Sequence, residues 1–218
     1  LLSIGFVWQS LAMTTREEAA EQLRVIRTMM ERATIFRALS GETALIGGAA
    51  ALAAAWLSEG KQGWNWAGWW LVGVVMVLLF NAWQIFRAST SHSKPFWNTG
   101  LKLAIRGALP SIVAGGFLGL LFVRAKNEPA AACLWSLHYG LALLAIREFA
   151  PRSMVWLGWA FVIFGVGGLS GVAHVVGSIA EWAPIGNASR LMAIAFGGFH
   201  LIYGAVIVTT KGREASEA

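Results

Sequence analysis

Four histidines in a chain without a single aspartate are the residues on which chemistry could be built, and three of them fall in strongly apolar stretches. An ionisable side chain placed in hydrocarbon is costly and marks a site by default. His138 precedes Tyr139 and Gly140, His174 follows the glycine-rich run GVGGLSG, and His200 stands three residues before Tyr203. At ~1.5 Å rise per residue, His138 falls ~12 Å below Ala130 and His200 ~14 Å below Leu191, so two imidazoles share a depth. Bis-histidine ligation of haem b inside a bundle needs such a pair, and a proton relay or hydrogen bonding to Tyr139 and Tyr203 would use it equally. No second pair exists for a transmembrane haem chain. No cofactor is expected, therefore, and haem b on His138 and His200 stands as the alternative.

The remaining candidates are weaker. Glu42 follows Ser40 and Gly41 at the start of the first apolar stretch, where a carboxylate complements a helix N-terminus and could pair with Arg37 or Arg106. The glycine run before His174 lies inside an apolar stretch, where a phosphate-binding reading fails; Gly167 with Gly171, and Gly115 with Gly119, instead give the GxxxG step of closely packed helices, or a glycine-lined cavity for an apolar ligand. A lone cysteine, Cys133, rules out an internal disulfide and a thiolate metal cage. Without Asp there is no EF-hand, aspartyl phosphoryl transfer or Ser-His-Asp triad, and no HExxH pair or nucleophile elbow is present either. The chain reads as a non-enzyme with no metal site.

The elements that must position these residues are membrane helices. Hydrophobic residues make up 57% of the 218 and charged ones 13%, about half the charge of a typical soluble domain. About 20 apolar residues cross the hydrocarbon layer, and such stretches lie at 39–57, 64–86, 103–123, 130–149, 154–178 and 191–210. Thirteen of the 17 Lys and Arg fall in alternate gaps, among them Arg16, Arg24, Arg27, Arg32 and Arg37 ahead of the first stretch and Arg87, Lys94, Lys102 and Arg106 after the second. Positive charge stays on the cytoplasmic side. The expectation is an all-α, six-span protein of the bacterial inner membrane with both termini inside. The net charge of +6 follows from that topology, and no nucleic-acid partner is expected.

Residues 1–12 read as an extension ahead of a natural start at Met13, with a signal peptide as the alternative. Residues 13–38 form a cytoplasmic amphipathic helix: Ala19, Leu23, Ile26, Met30 and Ala33 mark one face among alternating Arg and Glu. It would lie on the inner leaflet or dock against the bundle, or else pair with a second copy or a cytoplasmic protein through residues 15–38. The 39–210 bundle follows, then a cytoplasmic tail at 211–218. Loop 87–100 is solvated or binds lipid phosphate or a partner. Tryptophans near the span ends, including Trp56, Trp64, Trp66, Trp69, Trp70, Trp135 and Trp182 on one side and Trp83, Trp97 and Trp156 on the other, read as headgroup anchors. Pro110 should kink the third span.

The segments LRVIRTMMERATIFRALSG (23–41), SKPFWN, LHYGLALLAIREF and GGFHLIYG together resemble a family of small bacterial inner-membrane proteins of this helix-then-six-spans plan, over about 13–211. In that family's pattern Tyr139 with Gly140, and His200, Tyr203 and Gly204, are typical, whereas His138 is a departure that weakens haem ligation. The resemblance brings no established activity; it implies signalling or envelope homeostasis. The functional expectation is a sensor, regulatory partner or accessory subunit. A small carrier or channel for a lipophilic or weakly polar molecule is the alternative, and a haem b electron-transfer subunit the third.

Overall fold

The computed structural model describes residues 18–23, 41–91, 99–175 and 187–216, and they are helical throughout apart from short turns, with no strand among them. Residues 18–23 are helical and exposed; the rest of the amphipathic segment, loop residues 92–98 with Trp97, the 176–186 segment with Trp182, and residues 1–17 lie outside the described residues. The bundle consists of α1 (Gly41–Ser58), α2 (Gly63–Ser91), α3 (Thr99–Arg124), α4 (Glu128–Ala145), α5 (Arg152–Val175) and a final rod. That rod starts as α6 (Ala188–Met192), widens into a π-helical stretch (Ala193–Phe199) and continues as α7 (His200–Ser216). A 3-10 turn at Arg147–Phe149 joins α4 to α5.

Four of these helices are long and apolar enough to cross a membrane: Gly63–Gln84, Lys102–Arg124, Arg152–Gly171 and Ala188–Thr210. Only 11% of the most apolar window of the second of these is buried inside the protein, and its outward face is Leu109, Val113 and Phe117. Apolar side chains in such continuous exposure need an apolar surrounding. Helices α1 and α4 have 18 residues each, the short end of the spanning range. Both carry small residues on several sides and sit among the others: α4 packs chiefly between α5 and α3, and α1 chiefly against α7, the π stretch and α2.

Small residues make that packing dense. A Cβ placed on Gly140 of α4 would come within 2.6 Å of the Gly158 carbonyl on α5, and one on Gly165 within 2.6 Å of the Leu137 amide. Gly115 and Gly119 of α3 leave room for His138 and Trp135 of α4, as the expected GxxxG step requires. Gly167 differs from expectation. It is exposed with no neighbour within 4 Å, and the glycine that faces Cys133 Sγ is Gly168, one residue on. In a helix one residue is a turn of 100°, so the choice between adjacent glycines decides which face packs. Helix α3 runs through Pro110 without interruption, and the next residue, Ser111, donates its hydroxyl to the His138 carbonyl at 2.8 Å.

The tryptophans divide. Trp56 is 79% exposed and Trp156 75%, as headgroup anchors should be, but Trp66 is 1% and Trp70 4% exposed. These two belong to the core, where Trp66 stacks on Trp135 with ring centroids 5.4 Å apart. A buried indole needs an acceptor for its N–H. Trp66 Nε1 donates to Ser189 Oγ and Trp70 Nε1 to Ser58 Oγ, each at 3.1 Å, and the two hydroxyls bond one another at 2.8 Å. Two serines on α1 and α6 thus supply the polar partners that let the indoles leave the interface. Beyond this knot the rim is charged: Arg190 pairs with Glu59 at 3.5 Å, and Asn187 donates to Glu59 at 3.0 Å.

Introducing a side chain at a close approach should force helices apart, typically at a cost of about 1–3 kcal/mol. Gly140→Val and Gly165→Val are expected to lower the midpoint of denaturant unfolding in detergent, whereas Gly167→Val leaves it unchanged.

Candidate functional site

The sequence candidates His138, Tyr139, His200 and Tyr203 line one cavity of about 470 Å³ enclosed by α1, α2, α3, α4, α5 and the final rod. Its walls are mostly apolar, with Val74, Val77, Ile112, Leu157 and Phe196 among them, and among the described residues no Lys, Arg, Asp or Glu lines it. Helices α2 and α3, which form one side, touch each other only sparingly. Several of their cavity residues, Leu71, Val74, Leu78 and Ile112, keep substantial exposure. The cavity is therefore partly open on that flank.

His200 is set in place by the π stretch. In an ordinary α-helix the Phe196 carbonyl would accept the His200 backbone N–H; here that N–H goes to Gly197. The Phe196 carbonyl bonds the His200 ring at Nδ1, 2.9 Å away. A carbonyl only accepts, so Nδ1 carries the hydrogen, and in the neutral ring Nε2 is left as an acceptor. Tyr139 on α4 donates its hydroxyl to that Nε2 at 2.8 Å. Helix α4 and the final rod thus face each other through two of the expected residues. The pair is walled by aromatic rings: Phe161 lies edge-on to Tyr139 with centroids 4.8 Å apart, and Phe196 stacks on His200 at 6.1 Å.

His138 is oriented in the same manner but its free atom differs. Its Nδ1 bonds the Leu134 carbonyl at 2.9 Å, one turn back on α4, and its Nε2 has no hydrogen-bond partner among the described residues. Haem ligation by both imidazoles would take the Nε2 of each, and on His200 that atom is engaged with Tyr139. Among the described residues no group of three or more His, Cys, Asp or Glu could hold a metal ion.

The other two candidates stand apart. Glu42 is exposed at the start of α1, does not line the cavity, and makes no ion pair with Arg106. His174 falls on the last turn of α5, and its side chain lies outside the described residues.

One residue of the site is missing from the sequence reading. Asn81 of α2 lines the cavity, and its Oδ1 is buried with no hydrogen-bond partner among the described residues. Native proteins rarely leave such an atom unsatisfied. Its signal was an amide inside the apolar run VGVVMVLLFNAWQ. An amide does not ionise, so in an apolar run it stands out less than a histidine or a carboxylate.

Removing the Tyr139 hydroxyl should leave His200 Nε2 bare in an apolar wall, at a cost of about 1–3 kcal/mol. Tyr139→Phe is expected to lower the thermal unfolding midpoint, and Tyr139→Phe with His200→Leu to lose less than the sum of the single changes. Compared with known proteins, the chain matches no family model, no curated protein and no solved structure.

Proposed function

We propose that this chain is a non-enzymatic, six-span protein of the bacterial inner membrane that binds a small lipophilic molecule within the bilayer and acts as a sensor or regulatory subunit. The observation that carries the reading is the cavity: about 470 Å³, apolar, free of charge, with a few polar groups converging on it. Ligand sites have this volume and this balance of apolar wall and sparse polar anchors. A flank formed by two sparingly packed helices suits a ligand that arrives from the lipid. In this reading α1 and α4 are the two short spans, and the distribution of Lys and Arg puts both termini in the cytoplasm. Residues 15–38, carrying Arg and Glu along an apolar stripe, are the means of reporting occupancy to lipid or to a cytoplasmic partner. The resemblance to small inner-membrane proteins of this plan agrees with such a role.

The partly open flank also favours a second reading, a carrier for the same class of molecule. Flux across liposomes that contain only this chain would establish the carrier; binding without flux supports the sensor.

Gly47 and Gly116 both line the cavity, and a Cβ on either meets nothing within 4 Å. Gly47→Leu and Gly116→Leu therefore start a side chain into the space with room at the Cβ. Native mass spectrometry of protein released from its own membrane should show a small-molecule adduct on the original chain, reduced at least tenfold in either variant while the unfolding midpoint holds. Reporter fusions at residues 13 and 218 should both report the cytoplasm, and ends on opposite faces would remove the six-span reading.

A further inference from the structure

Several polar groups of the cavity lie at one level. Gly73 of α2 stands against Ala54 of α1, and Gln84 donates to Thr43 at 3.0 Å, which sets the register of those two helices. Gly41 against Gly204 and Gly48 against Gly197 set that of α1 with the final rod. On these registers Asn81 stands level with Ile46 and His200 with Leu45, successive residues of one helix. Tyr139 is bonded to His200, and His138 is its neighbour in sequence. Asn81, His138, Tyr139 and His200 therefore form a narrow polar girdle, with Thr43 and Tyr203 lining the mostly apolar space about one helical turn away.

What that girdle offers is specific. Among the described residues the His138 Nε2 is an acceptor with no protein donor, and the Asn81 amide lines the space with its Oδ1 buried and unpaired, while the Tyr139 hydroxyl is already spent on His200. Among the described lining residues there is no Lys or Arg to balance an anion, only imidazoles that would first have to take up a proton, and no carboxylate to balance a cation. Burying either charge would be prohibitive. A ligand that satisfies the girdle must be neutral and must donate. A hydroxyl does so and also accepts, so it matches the Asn81 amide with either its oxygen or its nitrogen turned inward. A ketone, ester or ether can only accept and leaves His138 Nε2 unpaired.

We propose that the cavity selects neutral lipophilic alcohols, including phenols, over carbonyl, ether and carboxylate compounds of the same apolar body, through hydrogen bonds to Asn81 and His138. This rests on the ligand-binding reading above and adds the chemical class. It also gives a reason for the unsatisfied amide: Asn81 is kept against stability because a ligand hydroxyl completes it.

The test is a binding comparison on the full chain in detergent, by native mass spectrometry, with dodecan-1-ol, its methyl ether and dodecanoate as probes. The alcohol should bind about three- to tenfold more tightly than the ether, as one hydrogen bond supplies, and dodecanoate more weakly than the alcohol. Asn81→Leu and His138→Leu should each bring alcohol and ether closer together, and Asn81→Leu should hold or raise the unfolding midpoint of the unliganded protein. Equal binding of alcohol and ether, or preference for dodecanoate, overturns the selectivity and leaves the ligand-binding reading standing. A loss of stability in Asn81→Leu also overturns it, since the amide would then have a structural partner. No binding of any probe, combined with no adduct on protein from its own membrane, removes both.

Discussion

Everything in this bundle depends on how closely α4 approaches its two neighbours. Where Gly140 meets the backbone of Gly158, and Gly165 that of Leu137, no side chain separates α4 from α5. On the opposite face the glycines of α3 leave gaps filled by the His138 and Trp135 side chains. Without a hydrophobic drive between helices in hydrocarbon, such close contact is the main source of association. It also has a geometric effect. A helix gripped on two sides cannot rotate, so Tyr139 is aimed at His200 and His138 at the cavity.

Polar groups inside the bundle are treated in two opposite ways. At one end, Ser58, Ser189, Trp66 and Trp70 use each other's donors and acceptors, and this closed set fastens α1, α2 and α6. In the cavity wall, Asn81 Oδ1 and the His138 Nε2 have no hydrogen-bond partner among the described residues. A buried polar atom costs most when it is unmatched. The contrast within one small protein separates groups that build the fold from groups that wait on something else, and it is the physical basis for placing function at the cavity.

The π-helical stretch serves the same site. Where it ends, the His200 amide bonds Gly197 by a tight step of three residues, and the Phe196 carbonyl holds the imidazole as the Leu134 carbonyl holds that of His138. The tautomer that follows leaves Nε2 to accept from Tyr139. Departures from α-helical hydrogen bonding of this kind gather at functional positions, and here the departure abuts the residue it orients.

Composition and hydropathy alone were enough to identify the helical class, and of the six apolar stretches read from them four coincide with helices long and apolar enough to cross a membrane, because an apolar surrounding leaves its mark along the whole of a helix. Rise per residue is constant, so the sequence also brings His138 and His200 to similar distances along their helices, and the hydrogen bond from Tyr139 to His200 is compatible with that. Facing was not legible. Whether Gly167 or Gly168 packs, whether Trp66 anchors in headgroups or stacks on Trp135, and whether Tyr139 meets His200 each depend on helix rotation about its axis, which only contacts with the other helices determine. The π stretch and the unsatisfied Asn81 lay beyond the primary structure for the same reason: hydrogen-bond partners are assigned in space, and a residue's type says only what it can bond, never what it does.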